Sequence, residues 1–212
     1  MYLVKTPPLI KTLFSDYIWS IEGAINEVYL TFDDGPIPEL TPWVLDTLDS
    51  YDCKATFFCV GDNVRKHPDI YRRIIAEGHS VGNHTYNHLN GWHTDSDTYM
   101  ANISQCDQYV STQLYRPPYG KMKPAQANAV KNHKSIVMWD VLSGDFDGSI
   151  SKEKCLSNVL DHYVPGSIIV FHDNLKAQEK LKYVLPKFLE HLTNQGFRSS
   201  NLQCLVSEYA EA

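Results

Sequence analysis

Apolar runs of strand length alternate with helix-periodic segments along almost the whole chain, and this alternation limits the fold more than any single residue does. Val28–Phe32, Ala55–Val60, "SIVMWDV" and "SIIVFHD" read as strands, and His79–Asn83 as a shorter one. Between them, Glu39–Ser50 places Leu40, Val44, Leu45 and Leu48 at helical spacing. "HPDIYRRIIAEG" is a helix with Pro68 in its first turn and Gly78 as its stop. Asp97–Gln113, Lys123–Asn132, Lys152–Tyr163 and Leu181–Gln195 read as further helices, the last of which must absorb Pro186, and "LYRPPYG" as a strand running into a loop. Strands that alternate with helices imply a parallel sheet with covering helices. Roughly seven such units in one chain suggest a barrel or incomplete barrel over an open sheet. With no internal repeat, low-complexity tract or Gly/Ser-rich linker, residues 1–212 are expected to form one domain.

Composition narrows the function class. A hydrophobic fraction of 43% supports a sizeable core, and a net charge of −6 without a long basic run lacks the electrostatic footprint of a nucleic-acid binder. No apolar run approaches the ~20 residues of a spanning helix. The five cysteines are scattered, odd in number and contain no Cys-x-x-Cys pair, so buried thiols in a reducing compartment are expected. "MYLVKTPPLIKTLFSDYIWS" lacks the continuous apolar core of a signal peptide, which points to the cytoplasm unless an upstream signal has been removed.

In parallel α/β folds, ligands bind at the carboxyl ends of the strands. The polar residues just past the strand ends are Asp33 and Asp34, then His84 and His88, Arg116 and Tyr119, Asp145, and His172 and Asp173. The adjacent carboxylates in "YLTFDDGP" fit a solvated turn, because Asp-Gly and Gly-Pro are ordinary turn signals. They equally fit a metal site, since a divalent ion relieves their repulsion. In "HTYNH" the two histidines stand four apart, which on a helical turn is metal-ligand geometry, although nine histidines make one such pair unremarkable. Two imidazoles and a carboxylate form a catalytic zinc set, and the second aspartate is then free to act as base. Arg116 in "RPPYG" is either a structural ion-pair partner or the group that orients that base. The Tyr119 N–H can face an oxyanion and His172 can serve as a general acid.

"TFDDGP", "HTYNH", "RPPYG", "DVLSGDF" and "VFH" occur in the order found in one family, over residues from about Val28 to Phe197. In this the chain resembles the polysaccharide deacetylases of carbohydrate esterase family 4, the NodB-homology group. The resemblance implies a distorted, incomplete (β/α)7-8 barrel of the NodB-homology type. It also implies removal of acetyl groups from N-acetylglucosamine units of a peptidoglycan- or chitin-like glycan, with no nucleic-acid partner. By the same resemblance Asp33 is the base, and Asp34, His84 and His88 hold one divalent ion, Zn²⁺ first with Co²⁺ or Ni²⁺ as alternatives. Arg116 tethers the base, the Tyr119 N–H forms the oxyanion hole, His172 is the acid, and Thr85 braces the histidine loop.

Two positions depart from the family pattern. Leu142 stands where some members carry the carboxylate that orients the acid, and Phe146 replaces a tryptophan of the acetyl pocket. A third, Val170 for leucine, is mild. Asp145 and Asp140 are the available substitutes for the missing carboxylate. The motifs do not separate N-deacetylation from O-deacetylation of the acetylxylan esterase kind, and Leu142 leaves open a sugar-binding module with a relict site.

Overall fold

The computed structural model describes residues 2–207; Met1 and positions 208–212 of the expected single domain lie outside the described residues. The chain opens with the short helix α1 (Pro8–Leu13), and then β1 (Glu27–Asp33) leads into α2 (Thr41–Ser50) and β2 (Ala55–Cys59). Helices α3 (Gly61–Lys66) and α4 (Pro68–Ala76) precede β3 (Ser80–Asn83) and α5 (Ser96–Asp107). Next come β4 (Leu114–Tyr115), α6 (Pro124–Lys131), β5 (Ser135–Ile136), β6 (Val141–Leu142) and α7 (Lys152–Leu160). The described chain ends with β7 (Ile168–His172), α8 (Gln178–Asn194), β8 (Arg198–Ser199) and α9 (Cys204–Ser207).

The strands run parallel in the order β5-β4-β3-β2-β1-β7-β6, with β8 pairing the start of β1. This is the incomplete parallel barrel expected, with β1 flanked by β2 and β7. Alternation along β1 sorts its side chains between two environments. Leu30 and Phe32 face the helices, where Phe32 stacks on Phe57 (5.1 Å) and Phe171 (5.9 Å) and the cluster includes Leu45 of α2 and Phe188 of α8. Tyr29 packs on the opposite side with Phe58, Val137 and Ile168. Thr31 and Asp33 share that inner side, so the register that buries Phe32 outward aims Asp33 into the barrel.

The structure corrects several expected elements. "SIVMWDV" is two short strands, β5 and β6, at opposite ends of the sheet, because the carbonyls between them are engaged elsewhere. Val137 O and Met138 O accept from Arg116, while Trp139 O and Asp140 O accept from the Thr6 hydroxyl and amide. The segment thus spans the seam of the barrel, where residues 4–6 also pair with it: Lys5 opposes Val141 and Leu142 N–H donates to Val4 O. The helix expected over Asp97–Gln113 stops at Asp107, and beyond it the Thr112 hydroxyl bonds Val81 O (2.8 Å) and accepts Leu114 N–H (3.1 Å), which competes with helix continuation. α3 was not legible in the sequence. Pro186 is accommodated inside α8. Cys53, Cys59, Cys106 and Cys155 are buried, without a disulfide among them. Among the described residues no helix is long and apolar enough to cross a membrane.

Candidate active site

β1 ends in Asp33 with Asp34 just beyond it, and the two adjacent carboxylates receive opposite company. Asp33 is buried, and its Oδ1 accepts from Arg116 Nη1 at 2.7 Å. Arg116 enters from the end of β4, is wholly buried, and spreads its other donors over Thr31 Oγ1 (2.7 Å), Val137 O (3.1 Å) and Met138 O (2.9 Å). Its guanidinium lies 4.0 Å over the Phe58 ring. A planar, permanently charged fork fixed at four acceptors cannot follow Asp33 if it moves, so it holds that carboxylate in place.

Asp34 turns the other way, with its backbone at φ 82°. Its Oδ1 lies 3.0 Å from His88 Nε2 and 3.5 Å from His84 Nε2. The Asp34, His84 and His88 ligand atoms all lie within 4.8 Å of one another. His84 Nδ1 sits 2.8 Å from Arg116 O, an acceptor, so Nδ1 carries a ring proton, and in the neutral ring Nε2 is the nitrogen left to offer a lone pair on the side of Asp34. Asp34 Oδ1 is itself buried without a hydrogen bond. A carboxylate oxygen aimed at an imidazole lone pair is repulsive unless a cation lies between them, so this donor set fits a divalent ion.

The loop that carries the histidines is not the helical turn their spacing suggested. Thr85 and His88 have φ values of 62° and 56°, and the irregular backbone is held by side chains. Asn83 Oδ1 accepts Thr85 N–H, Thr85 Oγ1 accepts Leu89 N–H, and Asn102 Oδ1 accepts both Tyr86 N–H and Asn87 N–H. Thr85 thus spans the loop between the two histidines. Tyr119 sits at φ 61° in the turn closed by Gly120 N–H on Pro117 O, and its ring packs on His88 with centroids 4.7 Å apart.

His172, at the end of β7, pairs across the sheet with Asp33. Asp145 grips it twice: Oδ1 lies 2.8 Å from Nδ1 and Oδ2 accepts the His172 backbone N–H at 2.7 Å. Burial alone would lower the imidazole, but the charge and hydrogen bond of Asp145, with Asp34 and Asp33 behind, outweigh it and raise His172 to about 9. Asp140, the other substitute considered, is committed elsewhere, to Lys5 (2.5 Å), Lys11 (2.6 Å) and Ser167 (2.6 Å). Leu142 is a buried strand residue in register with Val170. Since Asp145 already holds the imidazole, Leu142→Asp is expected to leave the pH–rate profile unmoved and to lower the unfolding temperature by burying a carboxylate. A basic limb that moves upward in this variant would show that Asp145 is insufficient.

Asp33, Asp34, His84, His88, Tyr119 and His172 line one cavity of about 1000 Å³, at the large end of ligand clefts, while Arg116 and Asp145 stand behind it. Its apolar wall includes Trp139, Leu142, Phe146 and Tyr2. Phe146 stands edge-on to His172 (5.0 Å) and is backed by Tyr2 (5.2 Å). The sequence carried no signal for Tyr2, because only the seam pairing of residues 4–6 brings the N-terminal segment here. Asp173 was noted as a strand-end residue but given no task. Its Oδ1 accepts Gly35 N–H (3.0 Å), its Oδ2 accepts the Thr41 hydroxyl (2.5 Å), and burial pushes it up to about 8 against the Thr41 bond. A Cβ at Gly35 would meet Asp173 Oδ2 at 1.9 Å, so only glycine lets the turn close on that carboxyl.

The family model described as polysaccharide deacetylase matches residues 21–136. A peptidoglycan-N-acetylglucosamine deacetylase of Bacillus cereus is 39% identical over 205 residues, spanning 92% of this chain and 74% of the relative. A chitooligosaccharide deacetylase of Azorhizobium caulinodans is 33% identical over 162 residues, spanning 73% and 77%. Among solved structures, the Bc1960 peptidoglycan N-acetylglucosamine deacetylase in complex with 4-naphthalen-1-yl-N-oxidanyl-benzamide superposes with a TM-score of 0.85 at 33% identity, over 95% of this chain and 98% of that one. The matched segment runs from the strand bearing both aspartates through the histidine loop to Arg116, and with these relatives it makes the chain a member of the polysaccharide deacetylase family.

Proposed function

We propose that this chain hydrolyses the acetamide of N-acetylglucosamine units in a peptidoglycan- or chitin-like glycan, with a divalent ion, Zn²⁺ first, held by Asp34, His84 and His88. The observation that carries this reading is the division of labour between the adjacent aspartates, one fixed by a buried guanidinium and the other turned toward two imidazoles. Bound at that set, the ion supplies Lewis acidity toward the amide carbonyl and the attacking water. Asp33 accepts a proton from that water as its oxygen bonds to the carbonyl carbon, and Arg116 keeps the receiving carboxylate in place. The Tyr119 N–H donates to the carbonyl oxygen as negative charge develops on it. His172 enters protonated at neutral pH because Asp145 holds it so, and it gives that proton to the nitrogen as the C–N bond breaks. The products are acetic acid and the free amino sugar, which become acetate and the ammonium form when the acid's proton passes to the amine, with one proton gained by Asp33 and one lost by His172.

The test is acetate release from penta-N-acetylchitopentaose and from acetylxylan, with chelator and with ZnCl₂ returned. Chelation is expected to abolish release from the chito-oligosaccharide and Zn²⁺ to restore it, with acetylxylan the poorer substrate. Ester hydrolysis alone would assign an O-deacetylase. Binding of the oligosaccharide without turnover at any metal level would assign a sugar-binding module.

A further inference from the structure

Asn174 is a residue to which the motifs assigned nothing. It lies two positions beyond His172, in the loop that leads from β7 into α8, and it lines the cavity. Its Oδ1 accepts Ala177 N–H at 3.0 Å, next to the start of α8. That bond orients the amide, because only the oxygen end can accept it, and so the NH₂ end must face the other way. It faces Asp34: Nδ2 donates to Oδ2 at 2.5 Å.

The two oxygens of Asp34 therefore differ. Oδ2 is occupied by the Asn174 amide, whereas Oδ1 is buried without a hydrogen bond and aimed at the two imidazoles. The backbone around this side chain is equally held. Asn63 Nδ2 donates to Asp34 O at 2.8 Å, and the next residue, Gly35, donates its N–H to Asp173. The main chain is anchored on both sides, and the Asn174 bond holds the carboxylate with Oδ2 on the amide and Oδ1 toward the imidazoles.

We infer that Asn174 is a positioning residue that restricts Asp34 to binding the metal through a single oxygen, Oδ1. The inference rests on the proposed metal site. A one-oxygen carboxylate leaves coordination positions for carbonyl and water that a two-oxygen carboxylate would fill. Asn174 thereby sets both the affinity and the openness of the site, as outer hydrogen-bond partners of metal ligands do. No charged group is added, so the net charge of the ligand set is unchanged.

The experiment uses the full chain stripped of metal and titrated with Co²⁺, whose visible absorption weakens as its coordination number rises. Wild type and Asn174→Ala are compared by calorimetric Kd, absorption spectrum and apo-protein unfolding temperature. Asn174→Ala is expected to raise the Kd at least about tenfold, because the ligand carboxylate is no longer held in place, and to weaken the visible band, because Asp34 is released to offer its second oxygen. Asn174→Ser is the companion variant, since its hydroxyl still provides an acceptor for Ala177 N–H but is too short to hold Asp34. It should reproduce both changes with an unfolding temperature close to wild type. Kd and spectrum equal to wild type in a folded variant overturn the inference while leaving the metal site standing. A wild-type chain that takes up no Co²⁺ overturns the metal site and this inference together.

Discussion

Asp33→Asn is expected to reduce turnover by about 10²–10⁴-fold, the range that a positioned proton acceptor contributes, while the chain still takes up one divalent ion. Asparagine keeps an oxygen for Arg116 Nη1 but can neither accept the water's proton nor balance the buried guanidinium. Loss of the charge partner of a buried arginine costs on the order of 3 kcal/mol, so unfolding at lower temperature accompanies the kinetic loss. Arg116 retains Thr31, Val137 and Met138 as acceptors, which keeps the variant folded. Asp34→Ala behaves differently, because it removes the carboxylate of the ligand set, so metal uptake and turnover fall together. Calorimetric metal titration beside single-turnover kinetics separates the two. If Asp33→Asn turned over within tenfold of wild type, or failed to bind metal while folded, the proposed roles of the two aspartates would be wrong.

Asp145→Asn should shift the basic limb of the pH–rate profile downward. A general acid must be protonated to act, so activity disappears as pH rises through its pKa, which the charge and hydrogen bond of Asp145 hold above the ordinary histidine value. Burial lowers that value and Asp145 raises it, so removing the Asp145 charge leaves burial in control. The limb is then expected near or below the ordinary histidine value of about 6.5. At pH 7.5 the loss of protonated acid and of ring orientation together should reduce turnover about 100-fold. His172→Ala should lose most activity and the limb with it. Stability responds in the same window. A protonated His172 stabilises the fold fully below its unfolded value near 6.5, and that contribution fades as pH rises through about 9. The gap in unfolding temperature between wild type and Asp145→Asn should therefore narrow from pH 6.5 to pH 9. An unmoved limb in a folded variant would mean that His172 is not the titrating acid.

The elements most legible in the sequence were those whose pattern is local. β1, β2 and β7 are predominantly apolar runs, and α2 and α8 carry apolar residues at helical spacing, so periodicity placed them within a few residues. The rim residues were legible for a related reason: a strand's end is visible in the chain, and a parallel sheet delivers all such ends to one side. Asn174 falls under the same rule two residues further on, and it was missed because its task is set by Asp34, 140 positions earlier. The histidine loop shows the limit of spacing. The two histidines converge as expected, but through left-handed backbone held by Asn83, Thr85 and Asn102 rather than through a helical turn.

What the sequence determined by itself was the parallel α/β architecture, the single rim of polar strand ends, and the residue types that meet there. Only the tertiary structure decided which carboxylate serves which partner. Asp145, a rim residue, and Asp140 were the two substitutes for the carboxylate missing at Leu142, and the chain alone does not show which of them reaches His172. In the fold, Asp140 points to Lys5 and Lys11 at the seam, and Asp145 closes on His172. The same holds for the splitting of "SIVMWDV" and for the arrival of Tyr2 beside Phe146. Each depends on pairing between segments more than 100 residues apart, for example Thr6 with Trp139. Local patterns follow from the chain's own dihedrals and side-chain periodicity. Partner choice across the barrel follows from which backbone groups remain to be satisfied once the strands have assembled.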